Sequence, residues 1–129
     1  MEVFEKIELP NGLAVFVWDR SRHIAVDTTK VEVEITVPVE VKAEYFDSFE
    51  DFELVQKVFG LELAFTYRKE RTFVHNSKRE SVFRELTEDF KHDSLPYLAR
   101  PDFASRFVLS KLSDIKKRPH RYRKYLKER

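Results

Sequence analysis

The sequence contains no cysteine among its 129 residues. This absence excludes disulfides, thiolate nucleophiles and zinc or iron–sulfur sites with cysteine ligands. Only two glycines are present, so a glycine-rich loop that holds a phosphate is not expected. The sequence therefore lacks the residues on which several classes of enzyme depend.

Long apolar runs are also absent, and none approaches the roughly 20 residues that a membrane helix needs. The N-terminal segment Met1–Lys6 is charged and has no apolar signal core. We therefore expect a soluble, cytoplasmic protein without a membrane span. Its length favours one domain, which we place at residues 1–115, followed by a basic C-terminal tail at residues 116–129.

Charge is distributed unevenly along the chain. The net charge is +1, but residues 116–129 carry eight Lys or Arg against one acid, or +7. The remaining 115 residues carry −6. An acidic body with a basic tail is the most unusual bulk property of the sequence.

The first third of the sequence alternates like β-strands. Segments 3–9 and 13–18 flank Pro10-Asn11-Gly12, and Asn-Gly is a strong hairpin signal because both residues tolerate a positive φ. The second strand, Ala14–Trp18, is apolar at every position. This pattern predicts a strand that is covered on both faces, by the fold or by a partner chain.

A longer alternating segment follows at residues 31–46. Apolar residues occupy every second position from Val31 to Tyr45, which predicts one face in the core. Pro38 marks the position where so long a strand bends or bulges. We expect the intervening charges to be solvated, including Glu32, Glu34, Glu40 and Glu44.

The rest of the chain is mostly helical in pattern. Ser48 and Gly60 bound a first helix, and alternation then predicts a strand at 61–67, continued at 72–74. Ser77–Glu80 resembles a capping box that opens a second helix. Ser94-Leu95-Pro96 and Arg100-Pro101 then predict a loop or a short helical turn. A third helix runs from about Asp102 until Pro119. The predicted fold is α+β, with about four antiparallel strands and three helices in the order β-β-β-α-β-α-α.

Residues for catalysis are not recognisable. Ser21, His23 and Asp27 match the types of a hydrolase triad, but no nucleophile elbow accompanies them. The four histidines show no metal-ligand spacing. We therefore predict no catalytic residues, no cofactor and no metal.

The basic tail is the best candidate site. Its cations alternate with aromatic rings, a composition typical of single-stranded nucleic-acid binding. A second basic cluster follows the predicted strand 61–67, where a strand end meets a helix start and an anion could bind. The candidate residues are Lys116, Lys117, Arg118, Arg121, Tyr122, Arg123, Lys124 and Tyr125 in the tail, with Arg68 and Arg71 in the second cluster.

Three functions remain open. The first is a non-enzymatic binding or assembly domain that acts through protein–protein contacts or self-association, because the sequence has an all-apolar strand and twelve phenylalanines. The second is binding of single-stranded RNA or DNA through the tail. The third is an enzyme whose site is not recognisable from sequence. Other predictions for the tail compete with nucleic-acid binding: docking on the acidic body or on a second subunit, contact with an anionic membrane surface, or a solvated, disordered end.

Overall fold

The structure is a computed structural model, and it describes residues 3–126. Five strands form one antiparallel sheet: β1 (Val3–Glu8), β2 (Ala14–Asp19), β3 (Arg22–Ala25), β4 (Thr28–Glu40) and β5 (Glu62–His75). Four helices accompany it: α1 (Phe49–Phe59), α2 (Arg79–Leu98), α3 (Phe103–Lys117) and α4 (Arg123–Leu126). The predicted α+β class with an antiparallel sheet is confirmed.

Strands β2 and β3 lie along the same edge of β4. Asp19 pairs with Val33 and Arg22 pairs with Lys30, so the register continues without an offset. Between them the Arg20 N–H donates to the Glu32 carbonyl at 2.9 Å. The other edge of β4 is therefore the one that pairs with β5, and β1 pairs with β2.

The chain divides into two compact units. Unit 1 contains the residues up to Val37 together with Phe65–Arg100, and unit 2 contains Pro38–Ala64 together with the residues from Pro101 onward. In unit 1, α2 packs on the inner face of the sheet: Phe83 meets Phe4 edge-on at 4.8 Å between ring centroids, and Phe90 meets Tyr67 at 5.4 Å. In unit 2, the buried core includes Val55 of α1 and Val108 and Ile115 of α3.

The alternating pattern of the long strand is confirmed, with a shorter length. Val31, Val33, Ile35 and Val37 are fully buried, and β4 ends at Glu40. Ala43–Tyr45 form a 3-10 turn, so Glu44 lies outside the strand. The predicted extension to residue 46 is wrong, because the chain must turn there to begin α1.

Several helix boundaries differ from the prediction. The Ser48 side chain accepts from the Asp51 N–H, as an N-cap does, and Gly60 has a φ of 85°; both were predicted. The capping box is wrong: α2 begins at Arg79, and the Ser77 N–H donates instead to the His75 ring at 3.1 Å. Of the loop or short helical turn predicted around Pro96, the helical alternative is the nearer one, because α2 itself continues to Leu98.

Candidate functional site

Strand β2 buries one face and leaves the other partly open. Val15 and Val17 are fully buried against the core, whereas Phe16 and Trp18 on the opposite face are half-buried. We call this opposite side the outer sheet face, defined by Lys6, Phe16, Trp18, Arg20, Glu34 and Arg68. Within the described part of unit 1, α2 packs on the inner face alone, so coverage of the outer face by a partner chain stays a prediction.

The aromatic rings of the outer sheet face are capped by cations. Lys6 Nζ lies 5.8 Å from the centroid of the Phe16 ring, and the Arg20 guanidinium lies 5.3 Å from that of Trp18. The Trp18 Nε1–H donates to Thr36 Oγ1 at 2.9 Å. These contacts hold the rings in place and occupy the faces on which a nucleic-acid base would stack.

Glu34 lies buried between two arginines. Arg20 Nε is 2.5 Å from Oε1, and Arg68 Nη2 is 3.0 Å from Oε2. Burial raises the pKa of Glu34, but hydrogen bonds and attraction from Arg20 and Arg68 outweigh it and hold the pKa below its ordinary value. The prediction of a fully solvated glutamate face is wrong at this position, because β5 brings Arg68 across β4.

A shallow pocket of about 220 Å³ adjoins this ion pair. Arg20, Arg22, Glu32, Glu34 and Arg68 line it, so three cations face two carboxylates. Glu34 already satisfies two of those cations. The pocket is therefore nearly neutral and offers little excess charge to an anion.

Arg68 and Arg71 lie within β5, not at its end. Arg68 pairs with Glu34 on the outer sheet face, whereas Arg71 pairs with Glu85 of α2 at 3.2 Å. Alternation along the strand therefore directs the two side chains to opposite faces. The structure does not bring them together as one anion site.

The first half of the basic tail is docked within unit 2. Lys116 lies in the last turn of α3 and pairs with Asp51 of α1 at 3.1 Å. Asp114 pairs with Arg118 at 2.6 Å, lies 3.8 Å from Arg121, and accepts a very short hydrogen bond from the Tyr122 hydroxyl. The Tyr122 ring meets Phe59 of α1 edge-on at 5.8 Å.

Asp114 is consequently the centre of a charged cluster. The hydrogen bond from Tyr122, followed by that from Arg118, lowers the pKa of Asp114. The same Tyr122–Asp114 hydrogen bond raises the pKa of Tyr122. Because Lys116, Arg118 and Arg121 each face a carboxylate of their own unit, part of the tail's charge is already neutralised.

The second half of the tail remains on the surface. Pro119–Tyr122 form a 3-10 turn and α4 follows. Within residues 3–126, no carboxylate pairs with Lys117, Arg123 or Lys124, and Lys124 Nζ lies 5.5 Å from the Tyr125 ring centroid. Lys127 and Arg129, which belong to the predicted tail, lie outside the described residues.

An exposed apolar surface was missed by sequence reasoning. The β3–β4 turn exposes 98% of Val26, and Ile24 of β3 is 42% exposed. Phe73 of β5 is 81% exposed and has a φ of 57°, a left-handed conformation that a bulky residue rarely adopts. We call Ile24, Val26 and Phe73 the hairpin end.

Asn76 fastens the two parts of the hairpin end together. Its backbone N–H donates to the Asp27 carbonyl at 3.0 Å, and its side-chain amide donates to the Val26 carbonyl at 3.2 Å. Thr29 Oγ1 donates to Asn76 Oδ1 at 2.6 Å. Since Asn76 follows Phe73 by three residues, the β3–β4 turn and Phe73 lie at the same end of the sheet.

Ser21 and Asp27, whose residue types match a hydrolase triad, form hydrogen bonds to residues outside that set. Ser21 Oγ accepts from the Glu32 N–H at 3.0 Å, and Asp27 accepts from the Thr28 hydroxyl at 3.0 Å. His23 is exposed on β3. Across residues 3–126, no group of three or more acidic or histidine side chains is placed to hold a metal ion.

Comparisons with known proteins give no relative. No family model, curated protein or solved structure matches the chain. Among the described helices, none has the length and apolar character needed to cross a membrane.

Proposed function

We propose that this chain is a non-enzymatic binding domain that docks on another polypeptide through the hairpin end. The observation that carries the proposal is Phe73, a residue that is 81% exposed and has a φ of 57°. For a residue other than glycine, the left-handed conformation costs about 1–2 kcal/mol. A residue that holds a strained backbone conformation, while its side chain is not packed within its own chain, is typical of a binding position.

The surroundings of Phe73 support the same function. Val26, at the same end of the sheet, is 98% exposed, so two large apolar side chains face solvent there. Exposed apolar groups that cluster within polar surroundings are typical of protein interaction sites.

The hairpin end is also prepared for binding. Three hydrogen bonds of Asn76 fix the β3–β4 turn against the end of β5. A surface that is ordered before binding loses less conformational entropy when a partner arrives. We therefore expect the apolar groups of the partner to meet Phe73 and Val26 with little rearrangement of this chain.

The test is site-specific photo-crosslinking in intact cells. A photoreactive phenylalanine analogue replaces Phe73, and the matched control places it at Phe49 of α1, which is 64% exposed. We expect a discrete adduct from position 73 that is absent from position 49 and that Val26→Asp in the same chain removes. An adduct that Val26→Asp leaves unchanged, or no adduct specific to position 73, contradicts the proposal.

A second candidate function is nucleic-acid binding by the tail. The supporting observation is that Lys117, Arg123 and Lys124 have no carboxylate partner within residues 3–126. Deletion of the whole tail is a poor test, because Tyr122 packs on Phe59 and binds Asp114. The three cations are instead changed to glutamate, and binding of labelled single-stranded RNA and DNA is measured over a salt series.

For three phosphate contacts, log affinity should fall against log salt with a slope of about −2, and the triple variant should lose that slope. Arg71→Glu is the matched control, since Arg71 pairs with Glu85 in unit 1. Absence of binding by the unchanged chain at low salt would remove this candidate.

A further inference from the structure

Strand β1 leaves one edge of the sheet with unused hydrogen-bonding groups. Within residues 3–126, β1 pairs with β2 alone. The Leu9 N–H donates to the Leu13 carbonyl at 2.8 Å, and hydrogen-bonded pairs alternate along an antiparallel ladder. Ile7 is therefore bonded to Val15, whereas the N–H and C=O groups of Lys6 and Glu8 point away from β2.

The opposite edge of the sheet is protected differently. Strand β5 carries the consecutive charges Arg68-Lys69-Glu70-Arg71 and then the left-handed Phe73. Irregular backbone and charge are common devices that prevent a strand edge from pairing. In β1 the register is regular from Glu5 to Glu8, so its edge can accept another strand.

We infer that β1 pairs antiparallel with β1 of a second copy of this chain, about a two-fold axis at Ile7. In this register Lys6 lies opposite Glu8 of the second copy, and Glu8 lies opposite its Lys6. Both residues direct their backbone groups to the open edge, so the two pairs form four backbone hydrogen bonds. Their side chains share the outer face, where Lys6 and Glu8 already approach within 3.3 Å in one chain.

Charge and backbone chemistry select this register over its neighbours. An axis at Lys6 would place two lysines opposite each other, and an axis at Glu8 would place two glutamates opposite each other, which is destabilising. The axis at Glu8 would also oppose Lys6 with Pro10, which has no N–H to donate. Of these three axes, only the one at Ile7 places opposite charges across from each other and allows the backbone hydrogen bonds to form.

The charge on the inner face of β1 does not prevent this pairing, because it is neutralised within the chain. A charge that points inward on an edge strand commonly blocks association, and Glu5 points toward α2. Lys91 of α2 neutralises it at 3.0 Å, and this contact, together with the lesser attraction of Glu88, raises the pKa of Lys91. Ile7 of each copy would then pack against its counterpart, and the two five-stranded sheets would become one sheet of ten strands.

The test is a charge exchange followed by sedimentation equilibrium over a range of concentrations. We expect the unchanged chain to associate reversibly from 15.5 kDa to twice that mass. Lys6→Glu and Glu8→Lys should each weaken association by roughly tenfold or more, because each converts two attractive pairs into repulsive ones. The double variant K6E/E8K should restore association, because the exchanged charges are again complementary.

Hydrogen exchange of the unchanged chain gives a test without mutation. The amides of Lys6 and Glu8 should exchange more slowly as concentration rises, whereas Ile7, already bonded to Val15, should change less. A chain that stays monomeric, a dimer indifferent to the single changes, or a double variant as weak as the singles would overturn the inference. Val26→Asp should leave dimerisation unchanged, so the test of dimerisation is independent of the crosslinking test of the hairpin end.

Discussion

Two guanidinium groups hold the charge of Glu34 inside unit 1. Its side chain is 8% exposed, whereas those of Arg20 and Arg68 are 37% and 63% exposed. A buried carboxylate without partners would be strongly unfavourable. The two arginines therefore make the buried charge tolerable, and Arg20 in turn orders the Trp18 ring beneath it.

We predict that Glu34→Gln destabilises the protein by about 1–2 kcal/mol, because a neutral amide leaves the two arginines without their shared carboxylate. The matched control is Glu85→Gln, which removes the acid of the exposed Arg71–Glu85 pair. An exposed pair of this kind contributes about 0–1 kcal/mol. Chemical denaturation at neutral pH measures both, and equal effects of the two changes would contradict the prediction.

The ion pairs of Glu34 with Arg20 and Arg68 also contribute to the pH dependence of stability. Because the folded pKa of Glu34 lies below its ordinary value of 4.5, its stabilisation is fully present above that value and is lost as pH falls through the folded pKa. The free energy of unfolding of the Glu34→Gln variant should therefore approach that of the unchanged chain in acid. A difference that stays constant from neutral pH into acid would contradict this.

At the scale of elements, the β1–β2 turn also caps a helix. The Asn11 side-chain amide donates to the carbonyls of Leu98 and Arg100 at 2.9 and 2.8 Å, and its Oδ1 accepts from the Leu13 N–H at 3.1 Å. The last carbonyls of a helix lack partners within the helix. Asn11 therefore satisfies the carbonyl of Leu98, the last residue of α2, and that of Arg100 just beyond the helix, and it joins the β1–β2 hairpin to this end of α2.

We predict that Asn11→Asp destabilises the protein by about 1–3 kcal/mol, because a carboxylate keeps the acceptor for Leu13 but offers no donor to the two carbonyls. Asn11→Ala removes all three hydrogen bonds and serves as the comparison. Thermal and chemical unfolding measure both changes. If Asn11→Asp proves as stable as the unchanged chain, the bonds to α2 contribute nothing.

An element could be predicted from the sequence when residues close to it along the chain determine it. The Asn-Gly hairpin, the alternating β4 and the Ser48 cap follow from neighbouring residues and were predicted. β3 was not, because Arg22–Ala25 has no apolar alternation and is defined by its pairing with β4. The continuation of α2 through Pro96 depends on the burial of Leu98 and on Asn11, 87 residues away in sequence from Leu98.

At the scale of the whole molecule, the charge asymmetry was visible in the sequence, but the contacts that the tail's cations make were not. The prediction that the tail carries the site treated its cations as one group. The structure gives Lys116, Arg118 and Arg121 carboxylate partners within unit 2, as the competing idea of self-docking expected. The hairpin end could not be predicted, because the backbone conformation of Phe73 leaves no local pattern.

The division into two units has a consequence for synthesis of the chain. Each unit is built from two separated segments, and unit 1 needs both β1 and α2, which ends at Leu98. Unit 1 can therefore close its core only after α2 has left the ribosome. During synthesis, β2 and its apolar neighbours stay exposed until α2 emerges. Since such exposure promotes aggregation, we expect this chain to depend on chaperones during its synthesis.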